Sequence, residues 1–138
     1  MPAHLLIIDD DPSILEMMRL VLEEEGGYQV TIAEMFFEDV IDVERLQPDL
    51  ILLDFRFGGH EDGWNFLQKL KLHRPTMHIP IILCTAGLAD VSQQEPILEQ
   101  KGIPILYKPF HLDELLDLVE KCLAHRSPTS TKKVLDEV

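Results

Sequence analysis

Four apolar runs in this 138-residue chain each stop on a side chain able to do ionic or hydroxyl chemistry. Leu5–Ile8 stops on Asp9-Asp10-Asp11, Leu50–Leu53 on Asp54, Ile79–Cys84 on Thr85, and Ile105–Tyr107 on Lys108-Pro109. A short apolar run bounded by turn-forming residues suits a strand buried on both faces. In open α/β sheets, ligands gather outside the carboxyl ends of the strands. If these four strands lie parallel, carboxylates, a hydroxyl and an ammonium converge at one edge. Asp9, Asp10 and Asp54 would then raise one another's pKa unless a cation sits among them. Mg²⁺ suits that place, because it takes oxygen ligands in octahedral geometry and keeps several waters. The set meets the needs of phosphoryl transfer to a carboxylate. Asp54 would attack, Asp9 and Asp10 would hold the metal, and Lys108 and Thr85 would meet the phosphoryl oxygens. Taken singly, each residue has an ordinary explanation as a cap, a turn residue or a solvated charge. Their joint placement at four separate strand ends is the specific signal.

The elements that must position them read as five repeats of strand then helix. Ala3–Ile8 is the first strand. Asp11 caps the helix that follows, with Pro12 at its first position. Ile14, Leu15, Met18, Val21 and Leu22 give that helix one apolar stripe, and Gly26-Gly27 ends it. Tyr28–Ala33 is a second strand, Phe36–Leu46 a second helix stopped by Pro48, and the third strand leads to Asp54. Gly58–Gly63 is a loop. Trp64, Phe66, Leu67 and Leu70 predict a third helix to about Arg74, and Pro80–Cys84 is the fourth strand. Ser92 and Glu95 fit a capping box for a fourth helix, although Pro96 falls in its first turn and delays or shortens it. Ile103–Tyr107 is the fifth strand. Leu112, Leu115, Leu116, Val119, Cys122 and Leu123 line a final helix, with His125 and Arg126 at its negative end. Alternating strands and helices imply an α/β fold, a parallel sheet with right-handed crossovers and both faces covered. Residues 1–126 form the expected domain and 127–138 a flexible tail.

Composition limits the partners. Against 25 Asp and Glu stand 12 Lys and Arg, a formal net charge of -13. That balance disfavours binding to nucleic acid or anionic lipid and is compatible with a metal cation or a basic protein partner. No apolar stretch reaches membrane-spanning length, and the first apolar run ends at Asp9, too soon for a signal peptide. Cys84 and Cys122 show no metal spacing and read as buried thiols of a reducing compartment. The expected location is the cytoplasm. The six histidines have no ligand spacing, and Trp64 and Phe36-Phe37 read as packing residues.

Leu6-Ile7-Ile8-Asp9-Asp10-Asp11-Pro12, Asp49–Asp54, Cys84-Thr85-Ala86 and Tyr107-Lys108-Pro109-Phe110 together resemble the receiver domain of two-component response regulators, over roughly residues 3–124. The resemblance implies a doubly wound, CheY-like (βα)5 fold with strand order 2-1-3-4-5. It implies that Asp54 accepts a phosphoryl group from a histidine kinase or histidine phosphotransfer protein. It implies Mg²⁺ at Asp9, Asp10 and Asp54, with the backbone carbonyl of Arg56 as a further ligand. Thr85 resembles the switch hydroxyl, Ala86 the small residue beside it, and Lys108 the phosphate-contacting lysine before a cis proline bond. The implied output is contact with a downstream protein, not turnover of a substrate.

The chain also departs from the family pattern. Phe57-Gly58-Gly59 replaces a proline-containing turn, although Asp62-Gly63 is kept. The family's aromatic switch position, three before the lysine, is Ile105, and the ring is displaced to Tyr107. The expectation is phosphorylation coupled to an altered output route. Two rivals remain. One is a receiver-like module that binds partners without phosphorylation. The other follows from Asp9-Asp10-Asp11, which also resembles the opening motif of haloacid-dehalogenase-type phosphatases. There Asp9 would be the nucleophile, Asp11 the acid/base, and Thr85 and Lys108 the phosphate holders. It leaves Asp54 without a role and lacks a later acidic pair.

Overall fold

The computed structural model describes residues 2–34, 39–55, 62–86 and 92–124, the side chain of Asp62 excepted. Arg56, the Phe36-Phe37 pair, the glycine loop at 57–60 and the expected tail lie outside the described residues. Among the described residues ten elements alternate in the expected order: β1 (His4–Ile8), α1 (Pro12–Glu24), β2 (Gln29–Ala33), α2 (Val40–Leu46), β3 (Leu50–Asp54), α3 (Asp62–Leu72), β4 (Ile81–Thr85), α4 (Glu95–Gln100), β5 (Ile105–Tyr107) and α5 (Leu112–Ala124). The strands make one parallel sheet in the order β2-β1-β3-β4-β5. This is the doubly wound arrangement expected from the sequence. No helix among the described residues is long and apolar enough to cross a membrane.

Alternation along β3 shows why its sequence is a continuous apolar run. Leu50 and Leu52 enter a layer with Leu15, Met18 and Leu22 of α1 and Leu115 and Val119 of α5. Ile51 and Leu53 enter the opposite layer, with Val43 of α2, Phe66, Leu67 and Leu70 of α3 and Leu98 of α4. Every residue of β3 and β4 is buried, so neither strand has a polar face to display. Each fully buried aliphatic side chain is worth about 1.5–3 kcal/mol relative to exposure, which anchors the central strands between the two helix layers.

Local signals set most helix ends. Asp11 is the N-cap of α1, its carboxylate accepting from the Ser13 amide at 2.9 Å, and Pro12 opens the helix. Gly27 closes it at φ +72°, a conformation that costs a side-chain-bearing residue energy. Two helix starts differ from expectation. α2 begins at Val40, because Asp39 is extended and caps it through the Ile41 amide. α4 begins at Glu95, with Gln94 in place of Ser92 as N-cap. A helix capped by Ser92 would need the residue four on to donate its amide, and that residue is Pro96, which has none. Capping at Gln94 lets Leu98 donate instead, at 2.9 Å. α3 also stops at Leu72, before Arg74, and the buried Thr76 hydroxyl donates to the Leu70 carbonyl at 2.7 Å.

The pairing of β1 with β3 decides which residues meet at the carboxyl edge. At the opposite end the Asp49 carboxylate accepts from the His4 amide at 2.8 Å, and the Asp49 amide donates to the His4 carbonyl at 2.7 Å. This two-bond clamp fixes the register in which Leu5 pairs with Leu50 and Ile8 with Leu53. Asp49→Ala removes the charged acceptor and should lower unfolding free energy by about 1–2 kcal/mol, read as a shifted midpoint in urea denaturation. An unchanged midpoint would show that strand packing alone holds the register.

Candidate functional site

The sheet register brings the four reactive strand ends together. Ile8 lies opposite Leu53, so the next residues, Asp9 and Asp54, leave adjacent strands at nearly the same level. Asp54 lies opposite Cys84, and Thr85 opposite Tyr107. Backbone bonds hold the edge: the Asp9 amide donates to Ala33 O at 3.1 Å, Phe55 to Cys84 O at 2.7 Å, and Lys108 to Thr85 O at 2.7 Å. The Lys108–Pro109 bond is cis. Asp9, Asp54 and Thr85 are buried, with 3%, 6% and 1% of their surface exposed, while Asp10 is open to solvent.

The Lys108 ammonium joins the two buried carboxylates. Its Nζ lies 2.7 Å from Asp9 Oδ2 and 3.4 Å from Asp54 Oδ1. The other oxygen of Asp9 accepts from the Asp11 amide at 2.9 Å. Burial pushes the Asp54 carboxyl up to about 6, and the Asp9 charge adds to it while Lys108 pulls the other way. Burial acts to lower the Lys108 pKa, but its hydrogen bond to Asp9 and the charges of Asp54 and Asp9 more than offset that and hold it above its ordinary value. One oxygen each from Asp9, Asp10 and Asp54 lies within 4.8 Å of the others. Among the described residues three carboxylates face one ammonium there, an excess of negative charge that a hard divalent cation neutralises. An all-oxygen donor set with one solvent-exposed member fits Mg²⁺, which retains waters.

The structure thus brings together Asp9, Asp10, Asp54 and Lys108, and sets Thr85 on the neighbouring strand end. Arg56 lies outside the described residues. Ile105 is partly buried and packs on the α2–α3–α4 layer, whereas the Tyr107 hydroxyl donates to Glu95 Oε2 of α4 at 3.1 Å. Cys84 is a free thiol within the core, and burial pushes it up to about 12, so it is no nucleophile at neutral pH. Two contributors carried little sequence signal. The Asp11 amide orients Asp9 while the Asp11 side chain caps α1. Gly63 lies so close to the end of β3 that an added Cβ would fall 1.9 Å from the Asp54 carbonyl oxygen. The Asp62-Gly63 pair was visible as a motif. Its reason, the passage of α3 against the backbone of Asp54, was not.

Comparison with known proteins agrees with this geometry. The family model of the response regulator receiver domain matches residues 5–120. The chain belongs to that family. It is 30% identical over 136 residues to the phosphate regulon transcriptional regulatory protein PhoB of Escherichia coli, covering 99% of this chain and 58% of PhoB. It is 30% identical over 132 residues to the E. coli transcriptional regulatory protein GlrR, covering 96% of this chain and 29% of GlrR. The chain therefore spans 29% to 58% of the length of these curated relatives. Among solved structures, a response-regulator candidate from Chloroflexus aurantiacus superposes with a TM-score of 0.77 at 32% identity, covering 91% of this chain and 100% of that one.

Two outcomes follow from the site's geometry. In the window between about pH 4 and 6 the folded protein holds a proton on Asp54 that the unfolded chain has lost. Stability tied to this group therefore falls as pH rises through that window. In metal-free buffer at pH 7, Asp54→Asn should be more stable than the parent by about 1–2 kcal/mol, with the gap closing by about pH 4. Chemical denaturation at the two pH values checks this, and a gap independent of pH would contradict it. Separately, Gly63→Ala should cost about 3 kcal/mol or more, since the clash is with backbone that cannot turn aside, and thermal unfolding would register it.

Proposed function

We propose that Asp54 is the phosphoacceptor of a phosphorelay. It takes a phosphoryl group from a histidine kinase or a histidine phosphotransfer protein. The observation that carries this is one buried carboxylate, Asp54, sharing the Lys108 ammonium with Asp9 at the edge where Asp10 and Thr85 also end. In the step itself a carboxylate oxygen of Asp54 attacks phosphorus, the P–N bond to the donor imidazole breaks, and the freed imidazole nitrogen takes up a proton. Lys108 stands where it can turn from Asp54 toward a phosphoryl oxygen, because it is bound more closely to Asp9. Asp9, held by the Asp11 amide, and Asp10 would hold Mg²⁺ together with Asp54 and, by family resemblance, the Arg56 carbonyl. The metal would supply neutralisation of the charge on the transferring group. The Thr85 hydroxyl would donate to the bound phosphoryl group.

Because each molecule is modified once, the chain acts as a signalling element, not as a turnover enzyme. Residues 1–126 would make up this receiver unit and 127–138 a tail, in the reducing setting of the cytoplasm. The transcriptional roles named for PhoB and GlrR are those proteins' own. Here the downstream partner is proposed to be a protein, reached through the face that changes when Thr85 is engaged. Tyr107 lies opposite Thr85 in the sheet and is bonded to Glu95, so the route to α4 runs through the ring at position 107. Ile105 at the usual aromatic position supports a second reading, in which partners bind without phosphorylation. The phosphatase reading is weaker: the Asp11 carboxylate that would serve as acid/base is spent as the cap of α1.

Incubation with acetyl phosphate and Mg²⁺, followed by intact-mass measurement, separates these. The parent should gain one phosphoryl group, Asp54→Asn none, and chelation should abolish the gain. Mass gain that persists in Asp54→Asn would move the acceptor elsewhere. A folded parent with neither mass gain nor Mg²⁺ binding would leave the phosphorylation-independent module as the better account.

A further inference from the structure

At the other end of the strands from the acidic site, a groove of about 520 Å³ opens between the starts of β4 and β5 and the last turns of α5. Its walls are apolar: Ile81 and Ile103 are buried, and Pro80, Pro104 and the half-buried Cys122 continue the surface. Around this apolar floor stand Lys71, Lys101 and Lys121, with Glu99 the one carboxylate among the described lining residues. Three lysines and one carboxylate thus stand among the described lining residues. In a chain with 25 acidic and 12 basic residues, such a concentration is against the general balance.

Of the three, Lys71 is half-buried, whereas Lys101 and Lys121 are exposed. The Lys71 ammonium is pinned by two carbonyls, Met77 O at 3.3 Å and Ile79 O at 3.1 Å. An ammonium has three donors, so one remains after these bonds. Neither Lys71 nor Lys101 has a carboxylate partner among the described residues. Burial holds the Lys71 pKa below its ordinary value, and the charge of Lys101 lowers it further. The two ammoniums therefore repel, and an anion placed between them relieves both costs. An apolar floor with a few convergent charged groups, of this volume, is the usual form of a small-ligand site.

We propose that this groove binds a small amphipathic anion, with its hydrocarbon body on Ile81, Ile103 and Cys122 and its anionic head between Lys71 and Lys101. The groove begins at Ile81, whereas Thr85 and Asp54 lie at the far end of the strands, about 13 Å away by strand rise. The proposal therefore does not depend on the phosphoacceptor reading.

The test uses the full chain, with decanoate below its micellar concentration as probe and 1-decanol as its neutral counterpart. In amide NMR spectra decanoate should shift Ile81, Ile103 and Cys122 saturably, and decanol should bind about tenfold more weakly or less tightly still. Lys101→Glu should weaken decanoate about tenfold and leave decanol unchanged, whereas Lys101→Arg should retain decanoate. An amide spectrum of Lys101→Glu that overlays the parent's away from position 101 serves as the check that the fold is intact. Equal affinity for decanoate and decanol, indifference to Lys101→Glu, shifts elsewhere in the sheet, or no saturable binding would each overturn the proposal.

Discussion

Among the described residues, one ammonium holds the acidic edge together. Lys108 reaches two carboxylates, Asp9 and Asp54, that are both nearly sealed from water. Without it, two like charges would face one another at the end of adjacent strands with little solvent to screen them. Its attachment is unequal, tight to Asp9 and looser to Asp54. That inequality matches the chemistry proposed. Asp9 is further oriented by the Asp11 amide and by its own backbone bond to Ala33, so it behaves as fixed scaffold. Asp54 keeps a raised pKa and a weaker partner, the condition of a carboxylate still available for reaction.

Rigidity below the site makes this possible. β3 and β4 are buried along their whole length, and residues of alternate parity lock into two helix layers. Asp54 and Thr85 are the last residues of these two buried strands. Gly63 adds a steric condition. α3 starts directly over the backbone of Asp54, which is possible only where there is no side chain. The backbone at Asp54 is therefore confined from one side by the sheet and from the other by a helix.

Charge is distributed unevenly over the two ends of the sheet. Three carboxylates that could hold a metal ion gather at the carboxyl edge. Lysines gather around the groove at the other end of β4 and β5, where the apolar floor favours a body that carries negative charge. Burial acts on both ends by the same rule, disfavouring whichever charge is enclosed, which raises Asp54 and lowers Lys71.

Much of the fold was written locally. Four apolar runs, each stopping on a reactive residue, gave the strand ends, because a strand buried on both faces leaves no alternation to misread. Asp11-Pro12 and Gly26-Gly27 gave both ends of α1, since capping involves only neighbouring residues. The late start of α4 was also local, a consequence of the missing amide of Pro96, although the Ser92–Glu95 spacing placed the cap two residues too early. The strand order and the roles of the site residues came from family resemblance and not from residue spacing. What required the tertiary structure was distance. Lys108 meets Asp9 across 99 positions of sequence, and the pairings of β1 with β3, β3 with β4 and β4 with β5 bring them within a hydrogen bond. The Gly63 contact and the lysine-rimmed groove likewise arise between elements far apart in the chain. Residue type and short-range pattern determined which groups could react and where each element stopped. The sheet register and the helix layers decided which of those groups share a site, because proximity in a folded chain is set by packing and not by sequence order.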